Sequence, residues 1–270
     1  VTDRKRDERI SVVLALLSRR AELQVRVLPE TLGVSGATVR RDLAVMESTG
    51  LIRRSYGKIT AARRGVELPV SLRHAQNAEA KRRIGALASS LVPSRPLVIA
   101  LSGGSTVGCV ARSLAARGEL TVVTNGLDTA AFLMARQLVQ VVVTGGTARA
   151  LSNDLVGKGA EKSVRSHRFD YAIVGADGIS PDAGFTRHST RGAEIDRAML
   201  EQAERRIVVA DSTKLGRVRR AVSVDTGSVH TLVTDSFAPP EMVAALRRSG
   251  VTTTLVMVPP RPVNGRPRGT

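Results

Sequence analysis

The sequence predicts an α/β protein in two parts, a winged helix-turn-helix domain over residues 1–60 and a mainly parallel-sheet α/β domain over residues 77–258. Three observations carry this. A Gly33-Val34-Ser35 turn separates two short helical patterns and is followed by a basic hairpin pattern. Further on, short apolar runs alternate with helical stretches, and most of those runs end in polar or glycine-rich loops.

In the first part, Ile10, Val13, Leu14 and Leu17 have the i, i+3, i+4, i+7 spacing of a helix with one buried stripe. A second helix falls between about Val25 and Leu32. Pro29 cannot donate an intrahelical bond, so this helix either starts late or is kinked. Gly33 suits a C′ position with positive φ, and Ser35 suits an N-cap. A third helix then runs from Gly36 to about Ser48. Val39, Leu43 and Met46 share its inner face, which turns Ala37, Thr38, Arg40, Arg41 and Ala44 outward. After Gly50, residues 51–60 read as two strands around a basic turn, a wing.

The full chain carries 41 Lys and Arg against 24 Asp and Glu, a net charge of +17 that favours an acidic partner, nucleic acid ahead of a membrane surface. Positive charge gathers at Arg40, Arg41, Arg53, Arg54, Lys58, Arg63 and Arg64. Such residues give salt-sensitive phosphate affinity, while base-edge contacts read sequence. The candidate DNA contacts are Ser35, Thr38, Arg40, Arg41, Arg53, Arg54, Tyr56 and Lys58.

Residues 61–76 read as a polar linker containing Pro69, and Asn77 to Leu91 as a helix whose Lys81, Arg82 and Arg83 face solvent or DNA. Apolar runs follow at 97–101, 120–124, 139–144, 171–176, 206–210, 231–234 and 254–258, with helical patterns between most of them. Continuous apolar strands alternating with helices imply a parallel sheet covered on both faces, with ligands beyond the strands' C-terminal ends. Polar loops stand there: 102–106, 124–126, 144–147, 175–178 and 210–214. A Gly-Gly-Ser-Thr turn opening a helix presents backbone N–H groups, hydroxyls and a positive dipole end, which suits a phosphate. The candidate effector residues are Gly103, Gly104, Ser105, Thr106, Asn125, Gly145, Gly146, Asp177 and Lys214.

Residues 7–60 resemble the DeoR family of bacterial transcriptional regulators. The resemblance rests on Gly33-Val34-Ser35, on Thr38-Val39-Arg40-Arg41-Asp42-Leu43 and on Gly50-Leu51-Ile52-Arg53-Arg54. Residues 77–235 resemble that family's effector domain, itself similar to ribose-5-phosphate isomerase, through Val123-Thr124-Asn125-Gly126-Leu127, Gly145-Gly146-Thr147, Leu155-Val156-Gly157, the run 169–179 and Ala210-Asp211-Ser212-Thr213-Lys214. The resemblance implies a repressor of carbohydrate-metabolism genes that binds double-stranded operator DNA as a homo-oligomer and is released or modulated by a phosphorylated sugar. Three stretches depart from the family pattern. Tyr56-Gly57-Lys58 stands where His-Gly-Gly is usual at the wing tip. Ser102-Gly103-Gly104-Ser105-Thr106 lacks an expected aspartate, and Asp196 replaces a usual lysine, which removes a positive charge near the effector site.

The alternative is a sugar-phosphate isomerase with a DNA-binding appendage, for which Asp177, Glu194 and Lys214 could supply base and charge. The isomerases' Lys-Gly-Gly-Gly-Ala segment has no counterpart in Thr190-Arg191-Gly192-Ala193-Glu194, so the expectation is a non-enzyme. No cofactor is expected. The lone Cys109 reads as core, and His74, His167, His188 and His230 lack a metal spacing, so no metal is expected either. The apolar stretch 10–17 is too short to span a bilayer, and the expected setting is the cytoplasm, without membrane association. Residues 259–270, with Arg261, Arg266 and Arg268 among prolines and glycines, read as a disordered basic tail.

Overall fold

A computed structural model of the chain describes residues 4–62 and 67–259. Arg63, Arg64 and the expected tail beyond Pro259 lie outside the described residues.

The chain opens with α1 (Arg4–Arg19), β1 (Glu22–Gln24) and a 3-10 turn at Val25–Val27, then α2 (Leu28–Leu32) and α3 (Gly36–Ser48). Pro29 sits in the first turn of α2, where its missing N–H removes no helix bond, so the second helix starts late and is not kinked. Gly33, at φ 62°, ends α2 with a Schellman closure, Val34 N donating to the Pro29 carbonyl at 3.0 Å. Ser35 then caps α3, its Oγ accepting from Thr38 N at 3.2 Å. The wing follows as β2 (Ile52–Ser55) and β3 (Lys58–Ala61), to which β1 adds a third antiparallel strand. Ser55 pairs with Lys58, leaving Tyr56 and Gly57 as a two-residue turn with both φ positive, 46° and 74°. That is the hairpin turn whose twist matches its strands. One core joins these parts: Ile10, Val13 and Leu17 of α1 meet Leu28, Val39, Leu43 and Met46, closed by Ile52 and Ile59 from the wing.

The segment expected as linker contains α4 (Val70–Ala75), whose Val70 and Leu72 are buried. The second part then runs through α5 (Ala78–Ser90), β4 (Leu97–Leu101), α6 (Ser105–Leu114), β5 (Leu120–Thr124), α7 (Leu127–Met134) and β6 (Val139–Val143). A small hairpin, β7 (Thr147–Arg149) and β8 (Asp154–Val156), leads to α8 (Lys158–Arg165) and β9 (Phe169–Gly175). Next come β10 (Gly178–Ser180), β11 (Gly184–Arg187), α9 (Thr190–Glu201), β12 (Ala203–Val209), β13 (Ala221–Val224), β14 (Thr231–Asp235), α10 (Pro240–Arg248) and β15 (Thr252–Val256).

Seven strands form one parallel sheet in the order β15-β14-β12-β9-β4-β5-β6. Its strands alternate between two cores, as their period of two demands. Ile99, Leu101 and Ile173 face Ile84, Val107, Val110 and Leu114 of α5 and α6. Ala100, Ala172 and Val174 face Val164, Ile195, Met199 and Leu246 on the opposite side. Gly85 lets α5 and α6 cross closely, since a Cβ there would lie 2.6 Å from the Cys109 carbonyl carbon. Cys109 itself is half-buried rather than full core, and burial pushes its thiol pKa up.

Candidate functional site

The outward face of α3 is built as its spacing predicts. Ala37, Arg40, Arg41 and Ala44 are exposed and Thr38 is half-buried beside them. Arg40 Nε donates back to the Gly36 carbonyl at 3.3 Å. Ser35 is spent on the cap, and its Oγ lies 3.0 Å from Thr38 Oγ1. Arg53 and Arg54 are exposed on β2, with Arg54 4.0 Å from Glu47. Lys58 pairs with Glu22 at 2.6 Å across the wing, and Tyr56 stands fully exposed at the tip. Asp42, within the same motif, faces inward. It accepts from Arg9 Nε at 2.6 Å and Nη2 at 3.1 Å, a two-pronged pair that locks α1 to α3.

The second candidate site lies where the strand order reverses. From β4 the chain builds outward to β5 and β6 on one side, while β9, β12, β14 and β15 lie on the other. The crevice beyond the ends of β4 and β9 is therefore the topological switch point, the usual ligand position in such sheets. A cleft there is lined by Gly103, Gly104, Ser105 and Thr106 after β4, Asp177 after β9 and Lys214 after β12. Arg73, Lys81 and Arg187 complete it. Four cations and the N-terminal turn of α6 thus face one space. Gly104 caps α6 at φ 125° and has no side chain with which to occupy the first-turn N–H groups.

Each charge has a physical setting. Arg187, at the end of β11, is buried with its Nε 2.8 Å from Oδ2 of Asp196, which is wholly buried on α9. Burial pushes the Asp196 carboxyl up while Arg187 pulls against it. Neither Asp196 oxygen has a well-aligned hydrogen bond, so the Arg187 charge is the main offset to that burial. The replacement of the usual lysine by Asp196 consequently does not strip the cleft of positive charge, because Asp196 lies behind Arg187 and Arg187 lines the cleft.

Asp177 accepts from His188 N at 3.2 Å and lies 3.8 Å from Arg73 Nη1. Burial would raise its pKa, but Arg187 and Arg73 outweigh that and hold it at about 2. Lys81 is buried, contrary to the expectation that it faces solvent or DNA. It falls on the same α5 stripe as Gly85 and Ala88, donates to the Arg73 carbonyl at 2.6 Å and lies 3.8 Å from Asp211. Burial lowers its pKa to about 8 despite the Asp211 charge. Arg82 and Arg83 remain on the surface, both paired with Glu79.

Six of the nine predicted effector residues come together in this cleft; Asn125, Gly145 and Gly146 do not. They follow β5 and β6, on the far side of β4 from β9. Asn125 is buried, accepting from Gly103 N at 3.0 Å and donating to the Leu155 carbonyl at 2.9 Å, so it shapes the first loop from behind. Gly146, at φ 112°, packs on β8 and α8, where a Cβ would lie 2.7 Å from the Val156 carbonyl oxygen. Glu194, nominated for an enzyme reading, is not among the residues lining the cleft. Sequence reasoning missed Arg73, Arg187 and the burial of Lys81. The helical stripe on α5 could have revealed Lys81, whereas Arg73 and Arg187 carried no local signal. Among the described residues no group of three or more His, Cys, Asp or Glu is placed to hold a metal ion. No helix among them is long and apolar enough to cross a membrane.

A winged reading head joined to a parallel-sheet domain with an anion-suited cleft defines a DNA-binding regulator with a sensor domain. Residues 9–64 match the DeoR-like helix-turn-helix domain and residues 76–236 match the DeoR C-terminal sensor domain. A protein of Escherichia coli O157:H7 named as an aga operon transcriptional repressor is 32% identical over 92% of this chain and 93% of its own length. The glycerol-3-phosphate regulon repressor of Escherichia coli K12 is 26% identical over 90% of this chain and 96% of its own. Ribose-5-phosphate isomerase A of Methanocaldococcus jannaschii overlays 52% of this chain and 55% of its own at 18% identity, with a TM-score of 0.40. The chain belongs to the DeoR family of transcriptional regulators.

Proposed function

We propose that this protein represses genes of carbohydrate metabolism from operator DNA and that a phosphorylated sugar in the cleft releases or modulates that binding. The carrying observation is one cleft at the switch point that gathers Arg73, Lys81, Arg187, Lys214 and the open first turn of α6. Such a cluster suits a phosphate dianion, and Asp177 beside it offers an acceptor to sugar hydroxyls. The name of the glycerol-3-phosphate regulon repressor fits an effector of this chemistry. On the DNA side, Thr38, Arg40 and Arg41 would meet the major groove. Arg53, Arg54, Tyr56 and Lys58 would follow the backbone from the wing, with Ser35 fixing the start of α3. A cytoplasmic homo-oligomer reading paired half-sites completes the proposal.

The enzyme reading is disfavoured by the base it would need. A general base works best with a pKa near the operating pH, and Asp177 is held at about 2 by its arginine neighbours.

A thermal-shift panel of sugar phosphates tests the effector half, since a ligand at 100 times its dissociation constant adds about 2.7 kcal/mol to stability. The binding should also depend on pH in a stated direction. With Lys81 at about 8, the cleft carries that charge at pH 7 and has largely lost it at pH 9, so affinity should fall severalfold between the two. A panel with no shift, or an affinity that holds or rises to pH 9, contradicts this assignment.

A further inference from the structure

We infer that Arg73 is an anion ligand of the cleft and that α4 is the lever carrying occupation of the cleft to the DNA-binding head; this rests on the effector reading above. Two adjacent residues of α4 belong to the two different sites. Leu72 is 3% exposed within the core of the winged head, and its carbonyl accepts from Ser11 Oγ of α1 at 3.2 Å. Arg73 lines the cleft. One step along the backbone therefore separates the core that positions α1 and α3 from the surface that meets a ligand.

Arg73 is also poorly satisfied. Its side chain is only 11% exposed, yet its two nearest carboxylates, Glu67 and Asp177, each lie 3.8 Å away, beyond hydrogen-bond range. Its Nε and Nη2 have no hydrogen-bond partner. Buried guanidinium donors left unpaired cost free energy, and phosphate oxygens match their fork geometry. A phosphate in the cleft would thus draw Arg73 away from its long carboxylate contacts.

The helix that carries Arg73 has little freedom to absorb such a shift. Val70 N donates to the Leu151 carbonyl at 2.7 Å, and the Arg73 carbonyl is held by Lys81 Nζ at 2.6 Å. With six residues and anchors at both ends, α4 moves as one body, taking Leu72 and its contact with α1 along. Glu67, ahead of α4, extends the network by pairing with Arg149 of the β7–β8 hairpin.

The test uses the full chain with inorganic phosphate as probe, against chloride at matched ionic strength, read by calorimetry and by hydrogen–deuterium exchange. In the wild type, phosphate should change exchange at least threefold both in residues 70–75 and in α1 around Ser11. Arg73→Gln should bind phosphate at least tenfold more weakly, the scale of removing one charged hydrogen bond. Arg73→Lys, which keeps the charge and gives up the fork, provides the same comparison if Arg73→Gln does not fold, and should also bind more weakly. Wild-type affinity in the Arg73 variants overturns the ligand role. Phosphate binding that leaves α1 exchange unchanged overturns the lever. If the wild type binds no phosphate at all, the effector reading fails and this inference fails with it.

Discussion

Replacing Asp196 with alanine should destabilise the sensor domain by up to about 3–5 kcal/mol, the cost of leaving one member of a buried ion pair without its partner. Asp196 is wholly buried and Arg187 nearly so, with the guanidinium 2.8 Å from the carboxylate. Arg187 keeps its proton at any pH the fold survives, so the variant would hold a buried cation that has lost its nearest carboxylate, with Asp177 the next counter-charge. Urea unfolding at pH 8, above the Asp196 pKa that burial pushes up to about 7, measures this, and a loss below about 1 kcal/mol, the scale of exposed pairs, would contradict it. The paired replacement Asp196→Leu with Arg187→Met should recover part of the loss, because it removes both desolvation penalties while leaving Asp177 with Arg73 as its counter-charge. That double variant should nevertheless bind phosphate poorly, since Arg187 also lines the cleft. Stability and ligand affinity would then separate in one protein.

The second large effect is expected on α3. Replacing both Arg40 and Arg41 with alanine should weaken operator binding by about 1–3 kcal/mol for each arginine that reads a base edge. For each arginine that neutralises a phosphate, the slope of log affinity against log salt should fall by about 0.9. Both side chains are exposed on a helix whose inner face is fixed by Val39, Leu43 and Met46, so folding should be untouched. Arg82→Ala serves as the control. Arg82 is an exposed arginine already paired with Glu79 on α5, and its removal should leave DNA affinity within about twofold, as for a weak surface pair. Fluorescence anisotropy over a range of salt concentrations reads both quantities. Unchanged affinity and slope in the double variant would remove α3 from the interface.

Much of this architecture was legible because its signals are local. Gly33 and Ser35 occupy the C-terminal and N-cap positions their chemistry predicts, and every apolar run from 97–101 to 254–258 became a strand of the central sheet. What stayed hidden depends on distant packing. Strands β7, β8, β10, β11 and β13 hold three or four residues each, too few for a period to register. The strand order places β4 beside β9 rather than only beside β5, and that choice sets which glycine loops share the cleft. Asn125, Gly145 and Gly146 belong to the same class of loop as Gly103 and Gly104, but they follow β5 and β6, which lie beyond β4 from the switch point. Arg73 stood in a polar stretch that read as linker, and only the fold brings it within 3.8 Å of Asp177.

The coupling of a phosphorylated-sugar cleft to a sequence-reading head within one chain is tested most directly by fluorescence anisotropy. A labelled DNA segment from upstream of the regulated genes is titrated with the full chain, in the presence and absence of the sugar phosphate that gives the largest thermal shift. The predicted result is salt-dependent binding that shuffled DNA does not match and that the sugar phosphate changes by at least tenfold. Equal binding to shuffled DNA, or operator affinity indifferent to a saturating sugar phosphate, would contradict it.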